Sequence, residues 1–286
     1  MQVMTRQAKL DDIPYLRRIW KTVFATSDEE LFFSYFFAPE NCIISESGGI
    51  PTAMGCLLDV GNFIAQGKPC PCAMIYALST LPEHRGNGFA SAIVERLVAY
   101  GNDLGYQAII LCPSDDSLFE YYTRLNFHDI FYVSEKVYEG FSNLNCEATI
   151  SKLDSEDYMI LRKSLLDDIT HIELNHRAIE YQRQLCAFTG GEFIQIESHG
   201  TISCAAFEKA NDGVVLLKEL LVPDGVGLEE NVLAAIGCHI PSHKYIVRTP
   251  VHAHQDSNIR RFGMISASDQ LLNTAGIYPW YGFAYD

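Results

Sequence analysis

The sequence Cys72-Ala-Met-Ile-Tyr-Ala-Leu-Ser-Thr-Leu-Pro82, continued by Glu83-His-Arg-Gly-Asn-Gly-Phe-Ala90, decides the fold of this 286-residue chain. Its first part is apolar at nearly every position, which predicts a strand covered on both faces. Gly86 and Gly88 allow the backbone to turn and to approach a ligand closely. Apolar residues then recur at helical spacing, so a helix begins directly after the glycines. The first amides of that helix lack internal partners and carry the positive end of its dipole, which predicts a phosphate-binding site.

Three designs of phosphate-binding loop place glycines in this way. The nucleotide P-loop requires Lys and then Ser or Thr after its last glycine, whereas Gly88 is followed by Phe89 and Ala90. The dinucleotide fingerprint requires a third glycine or alanine where this chain has Ser91. The third design, Arg/Gln-x-x-Gly-x-Gly/Ala, is matched in full by Arg85-Gly-Asn-Gly-Phe-Ala90. This loop resembles the pyrophosphate-binding loop of the GCN5-related N-acetyltransferase (GNAT) superfamily.

The resemblance covers the first half of the chain, because the elements around the loop follow in the order that the superfamily uses. A helix, a strand and a Tyr122…Asn126-Phe127 ending come after the loop. In detail the chain is similar to the group of the enhanced-intracellular-survival acetyltransferases, which join two such folds in one chain. The resemblance implies an α/β protein with the acyl-CoA N-acyltransferase (GNAT) fold, in which helices flank a mixed, mostly antiparallel sheet.

The second half repeats the order of elements less completely. The segment from Gly140 to Glu147 is polar and rich in turn-forming residues, so we predict a GNAT acetyltransferase domain at residues 1–143 and a second domain at residues 144–286. Within the second domain, Ile172 to Phe188 is predicted to be a helix. The loop after Leu221 lacks the Arg-x-x-Gly-x-Gly/Ala pattern. We therefore predict a degenerate GNAT-like α/β domain without a second cofactor site; an unrelated α+β domain is the alternative.

The resemblance implies three contributions to the binding of acetyl-CoA. Main-chain groups at the end of the central strand hold the pantetheine arm, as in strand addition to a sheet edge, and these belong to Leu78, Ser79 and Thr80. The loop binds the pyrophosphate through Arg85, Gly86, Asn87, Gly88, Phe89, Ala90 and Ser91. The superfamily's helper asparagine, seven residues before its catalytic tyrosine, is replaced by Asp115, so Ser114 or Ser117 is expected to take its hydrogen-bonding role.

Tyr122 falls on the superfamily's catalytic tyrosine, five residues before Phe127. A phenol has a pKa of about 10, near that of a thiolate leaving group, so it can donate the required proton. A packed aromatic ring is the alternative interpretation of this residue. The glutamate base of many members would fall near Ile110, which cannot accept a proton. A chain of water molecules, or the terminal Asp286, is left to remove the proton of the attacking amine.

The composition describes an acidic globular protein. The chain has 48% hydrophobic residues, 20% charged residues and a formal net charge of −15. Both halves are acidic, which excludes a basic nucleic-acid-binding module. The charge favours a cationic substrate, and solubility alone is the alternative reason for it. No apolar run reaches the roughly 18 residues of a membrane helix, and the N-terminus has no signal-peptide core. Nine scattered cysteines complete the prediction of a cytoplasmic protein with reduced thiols and no membrane partner, whose oligomeric state stays open.

No metal site is predicted. His252, His254 and Asp256 alternate along the chain, but three such residues without further support more often form a polar strand or loop. His239 and His243 are four residues apart, and a proline between them interrupts the helix that would place them on one face.

The predicted function is that of an acetyl-CoA-dependent N-acetyltransferase. Its acceptor would be a primary amine of a small molecule, or of a peptide, that attacks the thioester directly. Two rival functions stay open: a non-catalytic acyl-CoA-binding sensor or scaffold, and an O-acyltransferase. The aromatic residues between Leu31 and Phe37 either line the acceptor pocket or pack in the core, so no motif identifies the acceptor.

Overall fold

The structure is a computed structural model that describes residues 4–26, 28–140, 148–210, 212–223, 228–251, 258–276 and 278–283. The chain forms two compact units, and neither is continuous in sequence. The first comprises Met1–Phe63, Pro69–Asp129 and Gly263–Leu272, and the second comprises Ile64–Lys68, Ile130–Phe262 and Asn273–Asp286. The predicted boundary between residues 143 and 144 lies outside the described residues and stays a prediction.

The first half of the chain alternates short helices with strands. In chain order these are β1 (Thr5–Gln7), α1 (Ile13–Val23), α2 (Glu29–Tyr35), β2 (Cys42–Ser47), β3 (Ile50–Ala65), β4 (Lys68–Thr80), α3 (Phe89–Asp103), β5 (Ala108–Leu111), α4 (Ser117–Thr123) and β6 (His128–Tyr138).

The second half has the same alternation. Its elements are β7 (Ala148–Lys152), α5 (Ser155–Leu165), β8 (His171–Leu174), α6 (His176–Phe188), β9 (Glu192–Ser198), β10 (Thr201–Lys209), β11 (Val214–Leu221), α7 (Leu228–His239), β12 (Lys244–Thr249), β13 (Ile259–Ala267) and α8 (Asp269–Leu272). None of the described helices is long and apolar enough to cross a membrane.

The sheet of the first unit is mixed, as predicted. Strands β1 to β5 follow one another across it. The pairs β1–β2 and β2–β3 are antiparallel, whereas β4 and β5 are parallel. On its other side, β5 pairs antiparallel with Met264–Ala267 at the end of β13. A strand from the C-terminal part of the chain therefore completes the first sheet, which the sequence did not predict.

Helices α3 and α4 contribute to one hydrophobic core of the first unit. Buried side chains such as Ile93 of α3 and Tyr122 of α4 join Ile109 and Met264 in one cluster. Helix α3 approaches the sheet closely at Gly101, where an added Cβ would lie 2.7 Å from Ile109 Cδ1. Burying each large aliphatic side chain contributes about 1.5–3 kcal/mol, so this cluster supplies a substantial part of the unit's stability.

Helices α1 and α2 carry a group of packed aromatic residues. Trp20 stacks on Phe32 with ring centroids 4.8 Å apart, and Tyr76 of β4 meets both rings edge to face at 5.9 and 5.3 Å. Phe32, Phe33 and Phe36 are all buried. Core packing therefore accounts for most of the aromatic residues to which the sequence left two possible roles.

The second unit contains a mixed set of paired strands, which are neighbours in the order β7, β9, β10, β11, β12, β6. Within it β11 and β12 are parallel, and the other neighbouring pairs are antiparallel. The ladder between β11 and β12 ends at Leu217 and Val247, although β11 continues to Leu221. The second half of the chain thus has the predicted α/β class of structure, and a separate domain at residues 144–286 stays a prediction.

One predicted helix of the second unit begins later than expected. The sequence predicted a helix from Ile172, but His171–Leu174 form strand β8 and the helix α6 begins at His176. The Asn175 side chain accepts a hydrogen bond from the Ala178 amide at 2.9 Å, which caps the helix. Asparagine favours the position just before a helix, so Asn175 marks the start of α6 although apolar residues precede it.

The aromatic C-terminal segment is anchored by a buried ion pair of the second unit. Arg162 Nε donates to Glu219 Oε1 at 2.9 Å, and both side chains are almost fully buried. The Tyr158 hydroxyl donates to the same oxygen at 2.9 Å, and Trp280 Nε1 donates to Glu219 Oε2 at 2.6 Å. An added Cβ on Gly282 would lie 2.4 Å from Arg162 Nη2, so the tail backbone packs directly on this pair.

Candidate active site

The parallel strands β4 and β5 separate at the centre of the first unit. Their last paired residues are Met74 and Ile110, yet β4 continues for six residues to Thr80. Beyond this point, within the described part of the chain, no β5 residue pairs with β4. Ala77 has a φ of 54°, a left-handed conformation that is rare for alanine and that interrupts the regular strand. The result is an open strand edge at which an extended ligand can add its own hydrogen-bonding groups.

The residues predicted to hold the pantetheine arm lie along this open edge. Leu78, Ser79 and Thr80 are the last three residues of β4. The Ser79 hydroxyl donates to the Ala77 carbonyl oxygen at 3.2 Å, which fastens the irregular turn of the strand. The Leu81 amide donates to the Thr52 carbonyl oxygen at 3.0 Å, so β3 supports the strand end on its other side.

The glycine loop connects β4 to α3 as predicted. Gly86 and Gly88 have φ values of 77° and 80°, which residues with a side chain rarely adopt. The Asn87 side chain donates to the carbonyl oxygens of His84 and Arg85 at 3.0 and 3.3 Å. These two side-chain hydrogen bonds stabilise the loop and do not involve its main-chain amides.

The amides at the start of α3 are available to a ligand. The first helical bond joins the Ala92 amide to the Gly88 carbonyl oxygen at 3.1 Å. From Gly86 to Ser91, no amide donates to any group in the described residues. Arg85 Nε donates to the Thr80 carbonyl oxygen at 3.2 Å, which fixes this side chain beside the loop. Free amides, a helix dipole and a guanidinium form a cradle that suits a diphosphate.

The last three residues of the predicted loop, Phe89, Ala90 and Ser91, form the first turn of α3. Phe89 is the first residue of α3, and its ring meets the His84 ring edge to face with centroids 6.2 Å apart. Ala90 follows at the second helical position. The Ser91 hydroxyl lies 3.0 Å from the Tyr121 hydroxyl, which joins α3 to α4 near the loop.

Tyr122 has a buried ring with a free hydroxyl. The residue is only 8% exposed, and its ring packs edge to face on Phe127 at 5.9 Å. No group of the described residues forms a hydrogen bond with its hydroxyl. Burial raises the pKa of Tyr122 above its ordinary value, and the neighbouring Tyr121, Cys112 and Asp115 raise it further. The hydroxyl therefore stays protonated at neutral pH.

The end of α4 fixes the position of this tyrosine. The amides of Leu125 and Phe127 both donate to the Tyr122 carbonyl oxygen, at 2.9 and 3.1 Å. Asn126 has a φ of 62°, a left-handed conformation that commonly ends a helix and that asparagine tolerates better than most residues with a side chain.

Asp115 and Ser117 form a turn before α4. Asp115 Oδ1 accepts from the Ser117 amide at 2.9 Å and from the Ser117 hydroxyl. These bonds hold the pKa of Asp115 below its ordinary value. The Ser117 hydroxyl is therefore occupied within the turn, and its predicted contact with the cofactor stays a prediction.

A cavity of about 160 Å³ beside the loop was not predicted from the sequence. Its polar lining includes Tyr15 and Arg18 from α1, Ser47 and Thr52 from the β2–β3 hairpin, and Glu83 and His84 from the turn after β4. The available signal was the position of His84, directly before the loop. The helix and hairpin residues carry no local motif.

The structure describes only some of the residues that the sequence offered as further candidate sites. No cluster of residues able to bind a metal is present in the described part of the chain. The alternating residues His252, His254 and Asp256, from which no metal site was predicted, lie outside the described residues, and so does Asp286. The cysteines of the described ranges form no disulfide with one another.

The comparisons with known proteins agree with this geometry. Residues 4–129 match the family model described as an acetyltransferase (GNAT) domain. No functionally curated protein matches the chain. Residues 4–129 therefore match a GNAT acetyltransferase domain, and this match supports acyl transfer as the class of reaction. The predicted resemblance to the GNAT superfamily is confirmed.

Solved structures show the same fold over nearly the whole chain. A protein from Enterococcus faecalis V583, described as a probable N-acyltransferase, has a TM-score of 0.70 at 15% identity and covers 92% of this chain and 72% of its own. A GCN5-related N-acetyltransferase from Anabaena variabilis gives 0.69 at 13% identity, with 92% and 72% covered. Eis1 from Mycobacterium abscessus gives 0.63 at 10% identity, with 93% and 73% covered. At these identities the likeness concerns the fold.

Proposed function

We propose that the protein transfers an acetyl group from acetyl-CoA to a primary amine of a small molecule or peptide. The observation that carries this proposal is the separation of β4 from β5 after Met74 and Ile110, which opens a strand edge that leads to unpartnered amides. Acetyl-CoA has an extended, amide-containing arm that suits the strand edge, and a diphosphate that suits the unpartnered amides. The GNAT domain match at residues 4–129 supports the same class of reaction.

The open edge of β4 and the glycine loop would bind different parts of acetyl-CoA. Main-chain groups of Leu78 to Thr80 would pair with the pantetheine amides, and the amides from Gly86 to Ser91 would hold the diphosphate. Arg85 would add one positive charge beside the loop. This binding places the thioester near the point where the two strands separate.

Tyr122 would act as the general acid. The attacking amine forms a bond with the acetyl carbon, the carbon–sulfur bond breaks, and the thiolate of CoA takes a proton from the Tyr122 hydroxyl. Burial raises the pKa of Tyr122, and burial in the same cleft also raises the pKa of a thiol. The proton donor and the leaving group therefore stay matched, although neither has its ordinary pKa.

The proton of the acceptor ammonium would leave through water. The segment from Cys72 to Leu81 contains no carboxylate. Ile110, on the neighbouring strand β5, cannot accept a proton. The net charge of −15 attracts a cationic acceptor to the protein, which raises the local concentration of the amine.

Binding and turnover of the parent protein test this proposal together. Calorimetry with acetyl-CoA should show binding, and a panel of primary amines should show release of free thiol. Tyr122→Phe should retain acetyl-CoA binding and lose roughly 10² to 10⁴-fold in turnover, the usual contribution of a general acid. Tyr121→Phe, which removes only the contact with Ser91, is the matched control and should retain most of the activity.

Four outcomes would contradict the proposal. Absence of acetyl-CoA binding would remove its basis. Binding without turnover of any amine would favour the sensor or scaffold, and product formation only with alcohols would favour the O-acyltransferase. Equal activity of the Tyr122→Phe and parent proteins would remove the assigned general acid.

A further inference from the structure

The cavity of about 160 Å³ combines buried apolar side chains with charged groups of both signs. Ile19 and Leu81 line it, and both are buried. Arg18, Glu83 and His84 also line it, and their side chains form no hydrogen bond or ion pair with the described residues. Polar groups that converge on a partly apolar cavity without satisfying one another are a usual feature of ligand sites.

The cavity is separate from the residues proposed to bind acetyl-CoA. Of the described residues that line it, none belongs to residues 78–80, to residues 85–91 or to the rest of α3. The lining comes instead from α1, from the β2–β3 hairpin and from the turn of residues 81–84. Its volume is below the roughly 300–1,000 Å³ of pockets for drug-sized molecules, which suits a ligand smaller than a nucleotide.

The cavity is also distant from the proposed point of acetyl transfer. Strand β4 separates from β5 after Met74, and Ala77 marks the irregular turn of the strand. From Ala77 to Leu81 the chain advances four residues, or about 13 Å in an extended strand. A small molecule bound beside Leu81 is therefore too far from a thioester near Ala77 to be the acyl acceptor.

The charges of the lining determine which small molecules can bind. The guanidinium of Arg18 presents several donors in a plane that matches a carboxylate, and the carboxylate of Glu83 can accept hydrogen bonds from an ammonium. A ligand with only a negative charge would be repelled by Glu83, and a ligand with only a positive charge would be repelled by Arg18. These two residues together favour a dipolar ligand that carries both charges.

We propose that the cavity binds a free α-amino acid with a small apolar side chain. Its carboxylate pairs with Arg18, its ammonium pairs with Glu83, and its side chain packs on Ile19 and Leu81. The ring of His84 adds one further hydrogen bond. This is a second binding site, and it does not rest on the proposed function, because its ligand binds without acetyl-CoA.

The test titrates the full-length protein with L-valine, L-leucine and L-isoleucine in a calorimeter. At least one of them should bind with a dissociation constant below about 1 mM. The amide of that amino acid lacks the carboxylate, and its N-acetyl derivative lacks the ammonium. Each derivative should bind about tenfold or more weakly, the usual effect of losing a charge-assisted hydrogen bond.

Two variants assign the two ends of the ligand. Arg18→Gln should weaken binding of the amino acid about tenfold or more and leave binding of its amide unchanged. Glu83→Gln should weaken the amino acid in the same way and leave binding of the N-acetyl derivative unchanged. Arg17→Gln is the matched control, because Arg17 precedes Arg18 on α1 and is already paired with Glu30 at 2.6 Å. This control should bind the amino acid as the parent protein does.

A competition experiment separates this site from the site of acetyl transfer. Saturating acetyl-CoA should not displace the amino acid, and mass spectrometry should recover the amino acid without an acetyl group. Displacement by acetyl-CoA, or acetylation that Arg18→Gln abolishes, would overturn the inference by assigning the cavity to the transfer site.

The inference and the proposed function fail independently. A parent protein that binds none of the three amino acids below about 1 mM overturns this inference, and so do derivatives or an Arg18→Gln variant with undiminished affinity. These results leave the proposed function standing. A parent protein that binds an amino acid but not acetyl-CoA contradicts the proposed function and leaves this inference standing.

Discussion

Met264 pairs with Leu111 in an antiparallel ladder, although 153 positions separate them in the sequence (264 minus 111). Both residues are buried in the same core cluster as Tyr122. The segment Gly263–Leu272 therefore belongs to the compact unit that contains the candidate active site. The unit with the candidate active site is therefore not formed by the first half of the chain alone.

A chain that ends at residue 143 should for this reason be unstable. It would expose the edge of β5 that Met264–Ala267 normally covers, and exposed apolar edges promote aggregation. We expect aggregates in size-exclusion chromatography, or a thermal midpoint well below that of the full chain. Attaching residues 259–272 through a flexible linker should restore a monomer. A shortened chain that melts cooperatively at the temperature of the full chain would contradict this prediction.

Gly88→Ala should weaken acetyl-CoA binding. The substitution strains a backbone with a φ of 80° and thereby displaces the amides that start α3. Gly105→Ala is the control, because Gly105 also has a positive φ, of 88°. A Cβ added at Gly105 would meet no atom within 4 Å. Each variant should lose about 1 kcal/mol of stability. Only Gly88→Ala should raise the dissociation constant in calorimetry, and an equal rise in both would refute a specific role of the loop.

The pH dependence of turnover should reflect the raised pKa of Tyr122. A general acid stops working when the pH exceeds its pKa, so burial moves this loss to a more alkaline pH. We expect kcat/KM to rise as the acceptor amine loses its proton and to show no falling limb below about pH 10, the ordinary value for a phenol. The profile is measured at each pH by varying the amine concentration from below to above its KM. A falling limb centred between about pH 7 and 9 would assign the acid to another group.

Glu219→Gln should strongly destabilise the second unit. The change leaves the buried Arg162 guanidinium without a countercharge, which typically costs about 3–5 kcal/mol. Glu192→Gln provides the control, because its pair with Lys152 at 3.4 Å is exposed and contributes about 0–1 kcal/mol. Urea unfolding measures both values. A Glu219→Gln protein within about 1 kcal/mol of the parent would show that the network tolerates the loss of its charge.

The sequence was sufficient to predict the local features of the site. Pro82, Gly86 and Gly88 determine where β4 ends and α3 begins, because proline removes a backbone donor and glycine permits a positive φ. Asn126 ends α4 in the left-handed conformation for a similar local reason. Such features depend on neighbouring residues, and they can therefore be predicted from a short segment.

Features that depend on distant residues could not be predicted in this way. Nothing in the segment from Ile259 to Ala267 specifies β5 as its partner, because strand pairing depends on which edge the tertiary fold leaves open. The cavity that contains Arg18 requires α1, a hairpin and the turn after β4 to converge. No window of the sequence contains all three.

The interleaved course of the chain has a consequence for biosynthesis. The strand that covers β5 is translated only after residue 262, when almost the whole second unit has already been synthesised. Domains usually fold one after another as they emerge. Here the nascent acetyltransferase must wait with an incomplete sheet, so a slow or stalled ribosome would leave it open to proteases and to chaperones.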